Sequence, residues 1–544
     1  MNPARLLLVI LPFALVIMPF AGLRTAGAQD IELTAQMTGR PLPRAYYEQV
    51  ARQPDLYSFA NGWIVRTAAA RAAGAAVTGT LPLIVVQALF KDSPEPTITV
   101  ADVQRVLFDG PATYGTLTAS YAEMSRGRLQ IAGQVVGWVR SSLTLAEAVG
   151  TSQGLGASLG PYLVQALAAV DSTVDFGAFD NDGPDGIPNS GDDDGVVDAL
   201  AFQYLETAAS CGGPGPWPHR SRLSARVGSP YQTNDPRAGG GFIQVDDYII
   251  QSTVQCDGVS LLTATVIAHE MGHVLGLPDL YDASGGINPE QRVWVLGCWS
   301  LMAGGGWGCG DAAARTVAKR PPHIGPWEKS QLGWLDEELV VGSVRNGEFP
   351  LPPVAASGKV LNVPLSTREY LLIEYRTKTG FDLDLPLPGV LIYHVDLDRP
   401  IPRPATGPRL YRVSLLEADG NSGLVRTATE GGNRGEAGDV FGNDPGLRVT
   451  NAGTPSTRLN SGGATPVALY GITIGPDSAR VRVSTTVIPA SVLIGALLGD
   501  PTQMPTPEER AYLDEVGNRN GRFDVGDVRR YLREHPTAAA VARP

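Results

Sequence analysis

Residues 269–279 read HEMGHVLGLPD. Histidines four apart fall on nearly one face of an α-helix, one turn from each other. Two imidazoles placed that way can bind one metal ion. Glu270 stands beside the first histidine, where a carboxylate reaches a water on that metal. Gly276 lets the backbone turn, and Asp279 arrives six residues after His273 as a third possible ligand. Three protein ligands and one open position are the plan of a catalytic zinc site, not of a closed structural one. The spacing therefore predicts a zinc hydrolase, with His269, His273 and Asp279 on the metal and Glu270 as catalytic base. A bare HExxH also arises on ordinary amphipathic helices. Here the apolar run LLTATVIA (261–268) precedes it, which suits a buried helix, and burying two histidines and a glutamate side by side is costly without a compensating partner. A metal ion is such a partner.

Around the motif, composition sets the bounds. A chain of 544 residues is too long for one core, so several units are expected. Its 43% hydrophobic and 18% charged content is that of a globular protein, and 64 glycines with 43 prolines make it rich in turns. A net charge of −12 argues against nucleic acid as a partner, because phosphates are repelled. Much of that acidity sits in local aspartate clusters, which points to cations instead.

Arg5, an apolar run from Leu6 to Leu23, and Ala26-Gly27-Ala28 form the pattern of a secretory signal peptide over residues 1–28, cut after Ala28. An uncleaved anchor is the competing reading, since the run approaches membrane-spanning length; Pro12 and Pro19 inside it favour cleavage. A secreted, extracellular protein with no stable membrane insertion is the expectation. The four cysteines, Cys211, Cys256, Cys298 and Cys309, allow three pairings in an exported chain. Cys211–Cys256 with Cys298–Cys309 is the favoured pairing, the second closing a glycine-rich loop beside the active site.

Residues 29–75 read as a pro-segment or an N-terminal arm. From Leu81 strands and helices alternate. LPLIVVQALF is a strand, TVADVQRVLF and TYGTLTASYAEMSRG are helices, LQIAGQVVGWV is a strand, PYLVQALAAV a helix and VVDALAFQYL a strand; FIQVDDYIIQS alternates like an edge strand before the histidine helix. This predicts an α+β catalytic domain of the zinc-protease type over 76–336. Short runs such as YLLIEYR and GVLIYHVDL between glycine and proline turns predict a β-sandwich-like domain over 337–488, and 489–544 returns to helices around one polar loop.

HEMGHVLGLPDLYD (269–282), WSLMAGGGW (299–307), HIGPWEKSQLGWL (323–335), GVLIYHVD (389–396) and LLEADG (415–420) recur in this order, and together they resemble the immune inhibitor A family of secreted bacterial zinc metallopeptidases, which is metzincin-like. The resemblance covers roughly residues 80–485. It implies a zinc endopeptidase acting on proteins or peptides, with Met302 in the methionine turn that underlies the metal. Aspartate stands where many metzincins place a third histidine. The segment GPWPHR looks family-like too, but His219 is expected to be structural.

Two further stretches predict structural calcium. In DNDGPDGIPNSGDDDGVVD (180–198), Asp180, Asp182, Asp194 and Asp198 are the candidate ligands, and the spacing leaves open which of Asp185, Asp192 and Asp193 joins them. In LDEVGNRNGRFDVGDVRRYL, Asp514, Asn518, Asn520, Asp524 and Asp527 can converge on an ion, with Gly521 at the sharp turn. The stretch resembles one half of a dockerin-type, EF-hand-like module, with two extra residues near the loop's start. Docking to a partner is a weaker expectation than a calcium-stabilised tail. The rival to the enzyme reading is a catalytically inactive, calcium-dependent surface or matrix-binding protein on a protease scaffold. The intact Glu270 argues against it.

Overall fold

A computed structural model describes residues 40, 42–53, 56, 61–282, 291–311, 318–399, 401 and 408–535. The expected signal peptide and its cut after Ala28 lie outside the described residues, as does part of the 29–75 segment.

The chain enters through helices α1 (Arg44–Arg52) and α2 (Gly62–Ala72), then strand β1 (Gly79–Leu89), helix α3 (Leu117–Met124), β2 (Leu129–Arg140) and helix α4 (Gly160–Val170). Strands β3 (Leu200–Tyr204), β4 (His219–Arg222), β5 (Tyr231–Pro236), β6 (Phe242–Val245) and β7 (Asp247–Ser252) follow, and then the motif helix α5 (Thr265–Val274). The first sheet has the order β2-β1-β3-β7-β4. β1 runs parallel to β2 and β3, β3 parallel to β7, and only β4 is antiparallel to its neighbour. A parallel strand covered on both faces reads as an unbroken apolar run, and every residue of β1 from Leu81 onward is buried. Leu81, Leu83 and Val85 face α3 and α5, while Ile84, Val86 and Ala88 face α4. The motif helix is thus laid across one face of a rigid sheet.

The single edge strand expected over 242–252 is not what forms. The chain bends at Asp246; β6 pairs with β5, and β7 lies inside the first sheet, buried along its whole length. Only FIQV keeps the half-buried alternation. Ile249 and the pair Tyr248 and Ile250 fill opposite cores, and β3 and β4 pair with the strand on its two sides. In the 29–75 segment, Trp63 of α2 is fully buried with Val77, Leu81 and Trp334, so residues 61–72 pack as part of the same body. Tyr46 of α1 packs with Leu155 and Trp217.

Past helix α6 (Pro326–Gln331) come β8 (Asp336–Leu339), β9 (Gly347–Leu351), β10 (Lys359–Pro364), β11 (Glu369–Arg376), β12 (Gly389–Asp396), β13 (Val413–Leu415), β14 (Ala468–Ile474) and β15 (Ala479–Ser484). They make a five-stranded sheet, β13-β12-β11-β10-β8, and a three-stranded sheet, β14-β15-β9, which share one apolar cluster. Helices α7 (Ala490–Leu498), α8 (Pro507–Val516) and α9 (Val525–Glu534) close the chain, with Leu513 and Tyr531 packed on Ala468 and Tyr470 of β14. Both favoured disulfides are present, Cys211–Cys256 and Cys298–Cys309.

The two halves meet through buried charge as well as apolar surface. Arg376 at the end of β11, wholly buried, donates from Nε to Asp382 at 2.6 Å and from Nη1 to the Trp299 carbonyl at 3.0 Å, and it pairs with Glu374 at 3.3 Å. Burial alone would raise the Asp382 carboxyl, but Arg376, with His323 and Lys329, holds it at about 2. Removing the cation strands two buried carboxylates, so Arg376→Met is expected to cost about 3–5 kcal/mol in denaturant unfolding. The sign with pH follows from a depressed folded value. The Asp382 contribution is full above its unfolded value near 3.9 and is lost as pH falls toward about 2. The Arg376→Met variant should therefore lose less stability than the parent protein when both are acidified from pH 5 to pH 2; equal losses would contradict the assignment.

Candidate metal centre

α5 carries His269, Glu270 and His273 inside the core, exposed by 8%, 8% and 3%. Its end is set by Gly276 at φ +79°, where the Gly276 amide returns to the His273 carbonyl at 2.9 Å and the Leu277 amide to the Gly272 carbonyl at 3.0 Å. That reversal carries the chain back past the helix and delivers Asp279, 1% exposed, to the two histidines.

The geometry of the three donors is specific. Asp279 Oδ1 lies 3.2 Å from His269 Nε2 and 3.5 Å from His273 Nε2. The imidazole rings stand 4.8 Å apart and nearly perpendicular. Each Nδ1 faces a backbone carbonyl, Leu301 O at 2.9 Å for His269 and Leu277 O at 2.8 Å for His273. A carbonyl only accepts, so each neutral ring keeps its proton on Nδ1 and offers the Nε2 lone pair to the centre. Two lone pairs and a carboxylate oxygen then converge, and a single proton can bridge only one pair of them. A divalent cation satisfies all three at once. Tetrahedral zinc, with bonds of about 2.0–2.1 Å, spaces its N and O ligands about 3.3 Å apart, close to the two separations found. The donor set fits zinc.

Beneath the helix lies Met302, fully buried. A Cβ added at Gly272 would fall 2.4 Å from its sulfur, so glycine is what lets α5 settle on the methionine. The Leu280 amide bonds to the Met302 carbonyl at 2.7 Å, tying the Asp279 segment to the same turn. From below, the Tyr121 hydroxyl donates to the Ala268 carbonyl at 2.7 Å, and burial together with the nearby Glu270 carboxylate pushes that phenol up.

Several groups outside the histidine motif hold this turn. Met302 N donates to Ser300 Oγ at 3.1 Å, and Ser300 in turn bonds the buried Glu328 of α6. Leu301 N donates to the His323 carbonyl at 3.1 Å, and His323 Nε2 lies 2.9 Å from Glu123 of α3. His323 and Glu328 belong to the segment HIGPWEKSQLGWL that the sequence singles out; Glu123 and Arg376 are signalled by nothing in it. His219 lies between the Trp217 carbonyl at 2.7 Å and the Tyr248 hydroxyl at 3.1 Å, a packed core histidine.

The aspartate loop gathers differently from its spacing. Asp180, Asp182 and Asp193 bring their oxygens within 4.8 Å of one another, so of the three insert aspartates it is Asp193 that meets the first two. Asp180 is fully buried and its Oδ1 has no hydrogen-bond partner. Burial and the neighbouring aspartates push Asp180 up to about 7 and Asp182 up to about 6. Asp194 and Asp198 stand outside this trio. Asp194 Oδ1 accepts from the Val196 amide at 2.8 Å and Asp198 Oδ2 from the Asn181 amide at 2.9 Å, and both line a neighbouring cavity of about 220 Å³ with Arg222 and Asp247. At the C-terminus Asp514 accepts from the Gly521 amide, Asp524 from the side chains of Asn518 and Asn520, and Asp527 from the amides of Asn518 and Asp524. These five residues lie in and on either side of one loop, yet their carboxylates are not among the gathered trios of the described residues.

Comparison with known proteins bears on the same region. Residues 101–335 match the family described as immune inhibitor A peptidase M6, catalytic domain. The chain is 28% identical over 237 residues to the pre-pro-metalloprotease PrtV of Vibrio cholerae serotype O1, covering 40% of this chain and 24% of that protein. It is 29% identical over 235 residues to immune inhibitor A of Bacillus thuringiensis subsp. alesti, covering 39% and 31%. The chain thus matches only about a quarter to a third of the length of these relatives.

The Gly272–Met302 contact gives a test of the floor. Gly272→Ala should destabilise by about 1–3 kcal/mol through overpacking, and Met302→Ala should remove much of that penalty. A double-mutant cycle in urea is expected to show a coupling above about 0.5 kcal/mol; additive effects would mean that the two residues do not press on each other.

Proposed function

We propose that this chain is an exported zinc endopeptidase that cleaves peptide bonds of protein substrates. The observation that carries it is the meeting of His269 Nε2, His273 Nε2 and Asp279 Oδ1 beside Glu270, in a stretch that matches a peptidase catalytic domain. On this reading His269, His273 and Asp279 hold the zinc and Met302 is its apolar floor, in a metzincin-like layout. The paired sheets after residue 337 form a β-sandwich-like unit, and α8 and α9 flank a calcium-type tail. Calcium in the aspartate loop is part of the same reading, with Asp193 in place of Asp194 and Asp198. Export rests on the sequence pattern of residues 1–28.

Zinc, when bound, supplies the Lewis acidity that lowers the pKa of a water to roughly 7 and polarises the scissile carbonyl. The residues do the rest. The Leu301 and Leu277 carbonyls keep both histidines in the tautomer that presents Nε2. Asp279 adds a negative charge on the side away from solvent. Glu270, one position along α5 from His269 and at the helix surface that still admits 8% exposure, takes the proton of the attacking water on its carboxylate and returns it to the departing amine nitrogen. Glu270 shares one helix with both histidines, so its backbone is fixed relative to theirs.

Glu270→Ala is expected to keep one zinc per chain by elemental analysis while casein hydrolysis falls about 10²- to 10⁴-fold. Phenanthroline should abolish hydrolysis by the parent protein, and added zinc should restore it. A zinc-replete Glu270→Ala protein of undiminished activity would remove Glu270 from the mechanism.

A further inference from the structure

A third group of acids lies apart from both the histidines and the aspartate loop. Glu417 and Asp419 follow β13, Asp439 ends a short helical turn at 437–439, and each brings a carboxylate oxygen within 4.8 Å of the other two. Two backbone bonds clamp the segments together, Ala418 N to Asp439 O at 3.1 Å and Asp419 N to Gly438 O at 3.0 Å. Asp419 lies directly over Gly438, where a Cβ would meet its Oδ2 at 2.2 Å.

Clustered acids at a surface need no ion, but two of these three are buried. Glu417 is 4% exposed and Asp439 not at all. A separate observation concerns Asp439 itself. Its Oδ2 accepts from Trp299 Nε1 at 2.7 Å and from the Glu436 amide at 2.9 Å, whereas its buried Oδ1 has no hydrogen-bond partner. A wholly buried carboxylate oxygen without a donor is rare and costly in a folded protein. Among the described residues no lysine or arginine forms an ion pair with Glu417 or Asp439; burial and repulsion from neighbouring acids push Glu417 up to about 8 and Asp439 up to about 6. Either protons or a cation must occupy the centre. The donors are all carboxylate oxygens, with no nitrogen or sulfur, which suits a hard cation and not zinc.

We propose that Glu417, Asp419 and Asp439 hold a calcium ion, which braces the methionine turn against the five-stranded sheet. The brace is direct. Asp439 holds the Trp299 indole, Glu417 accepts from the Gly423 and Leu424 amides, and the Leu424 and Arg434 carbonyls in turn receive the Val295 and Cys298 amides at 2.8 and 2.7 Å. Calcium here fixes the strip of chain that leads into Ser300 and Met302.

The test uses the full chain carrying Asp182→Asn, which disables the aspartate loop, with and without Asp419→Asn. Asp419 is exposed, so the change should fold, and a matching melting curve in EGTA verifies it. Calcium is counted by equilibrium dialysis at pH 7.5 on zinc-loaded protein. The expected result is one ion fewer per chain with Asp419→Asn, together with the loss of a calcium-dependent rise in melting temperature. Equal ion counts and equal calcium responses would overturn the proposal and leave protons as the occupants. Should Asp419→Asn not fold, crystals of the parent protein soaked in terbium decide by anomalous signal: a peak among the three carboxylates supports the site, and none there refutes it.

Discussion

Two backbone carbonyls set the chemistry of the centre. Leu301 O and Leu277 O each hold a histidine Nδ1, and without them either ring could turn or change tautomer and withdraw its Nε2 from the common point. Helix periodicity puts the histidines on one face, but it does not fix their tautomer or their rotation. The Leu277 carbonyl comes from the turn that ends α5, so that contact is local. The Leu301 carbonyl comes from the methionine turn, and its position depends on everything that holds that turn.

The turn is strapped from three directions. Arg376 reaches the Trp299 carbonyl from β11, Glu328 of α6 holds Ser300, and the His323 carbonyl takes the Leu301 amide. Apolar contact runs the same way: Trp294, Trp299 and Trp327 pack in one cluster with Leu372, Leu391 and Tyr393 of the second sheet. The β-rich half is therefore part of the scaffold of the centre, and a division of the chain at residue 336 describes the sequence texture better than the packing. Buried charge of this kind is weak evidence of added stability. It does fix a single register between two surfaces, since a shift would take the Trp299 carbonyl from Arg376 and the His323 amide from Asp382.

Legibility in the sequence follows contact range. His269, Glu270, His273, Gly276 and Asp279 are spaced by the geometry of one helix and one turn, so their juxtaposition can be read from eleven residues. β1 is legible because two covered faces leave no polar alternation. The strand over 242–252 is not legible because a two-sided strand and a half-buried one differ only in their neighbours, and neighbours are not written locally. Arg376, Glu123 and Asp439 act across long sequence gaps with no periodic signature. The aspartate loop fell between these cases: its acidity was plain, but whether Asp193 or Asp194 turns inward depends on the Gly183 and Ser190 amides that hold Asp193.

The acidic groups differ in how far the protein itself satisfies them, and that difference sorts them physically. In the C-terminal loop, backbone amides and asparagine side chains donate to Asp514, Asp524 and Asp527, so the loop is already neutralised in part by its own dipoles. In the aspartate loop and around Asp439, a fully buried carboxylate keeps one oxygen without a donor. Hydrogen bonds from neutral donors stabilise an anion by only a few kcal/mol each, whereas several enclosed carboxylates repel one another at every pH where they are ionised. A cation answers both deficits at once. The net charge of −12 is accordingly not spread as a solvated coat; part of it is folded inward, at positions where only positive charge or protons let the chain close.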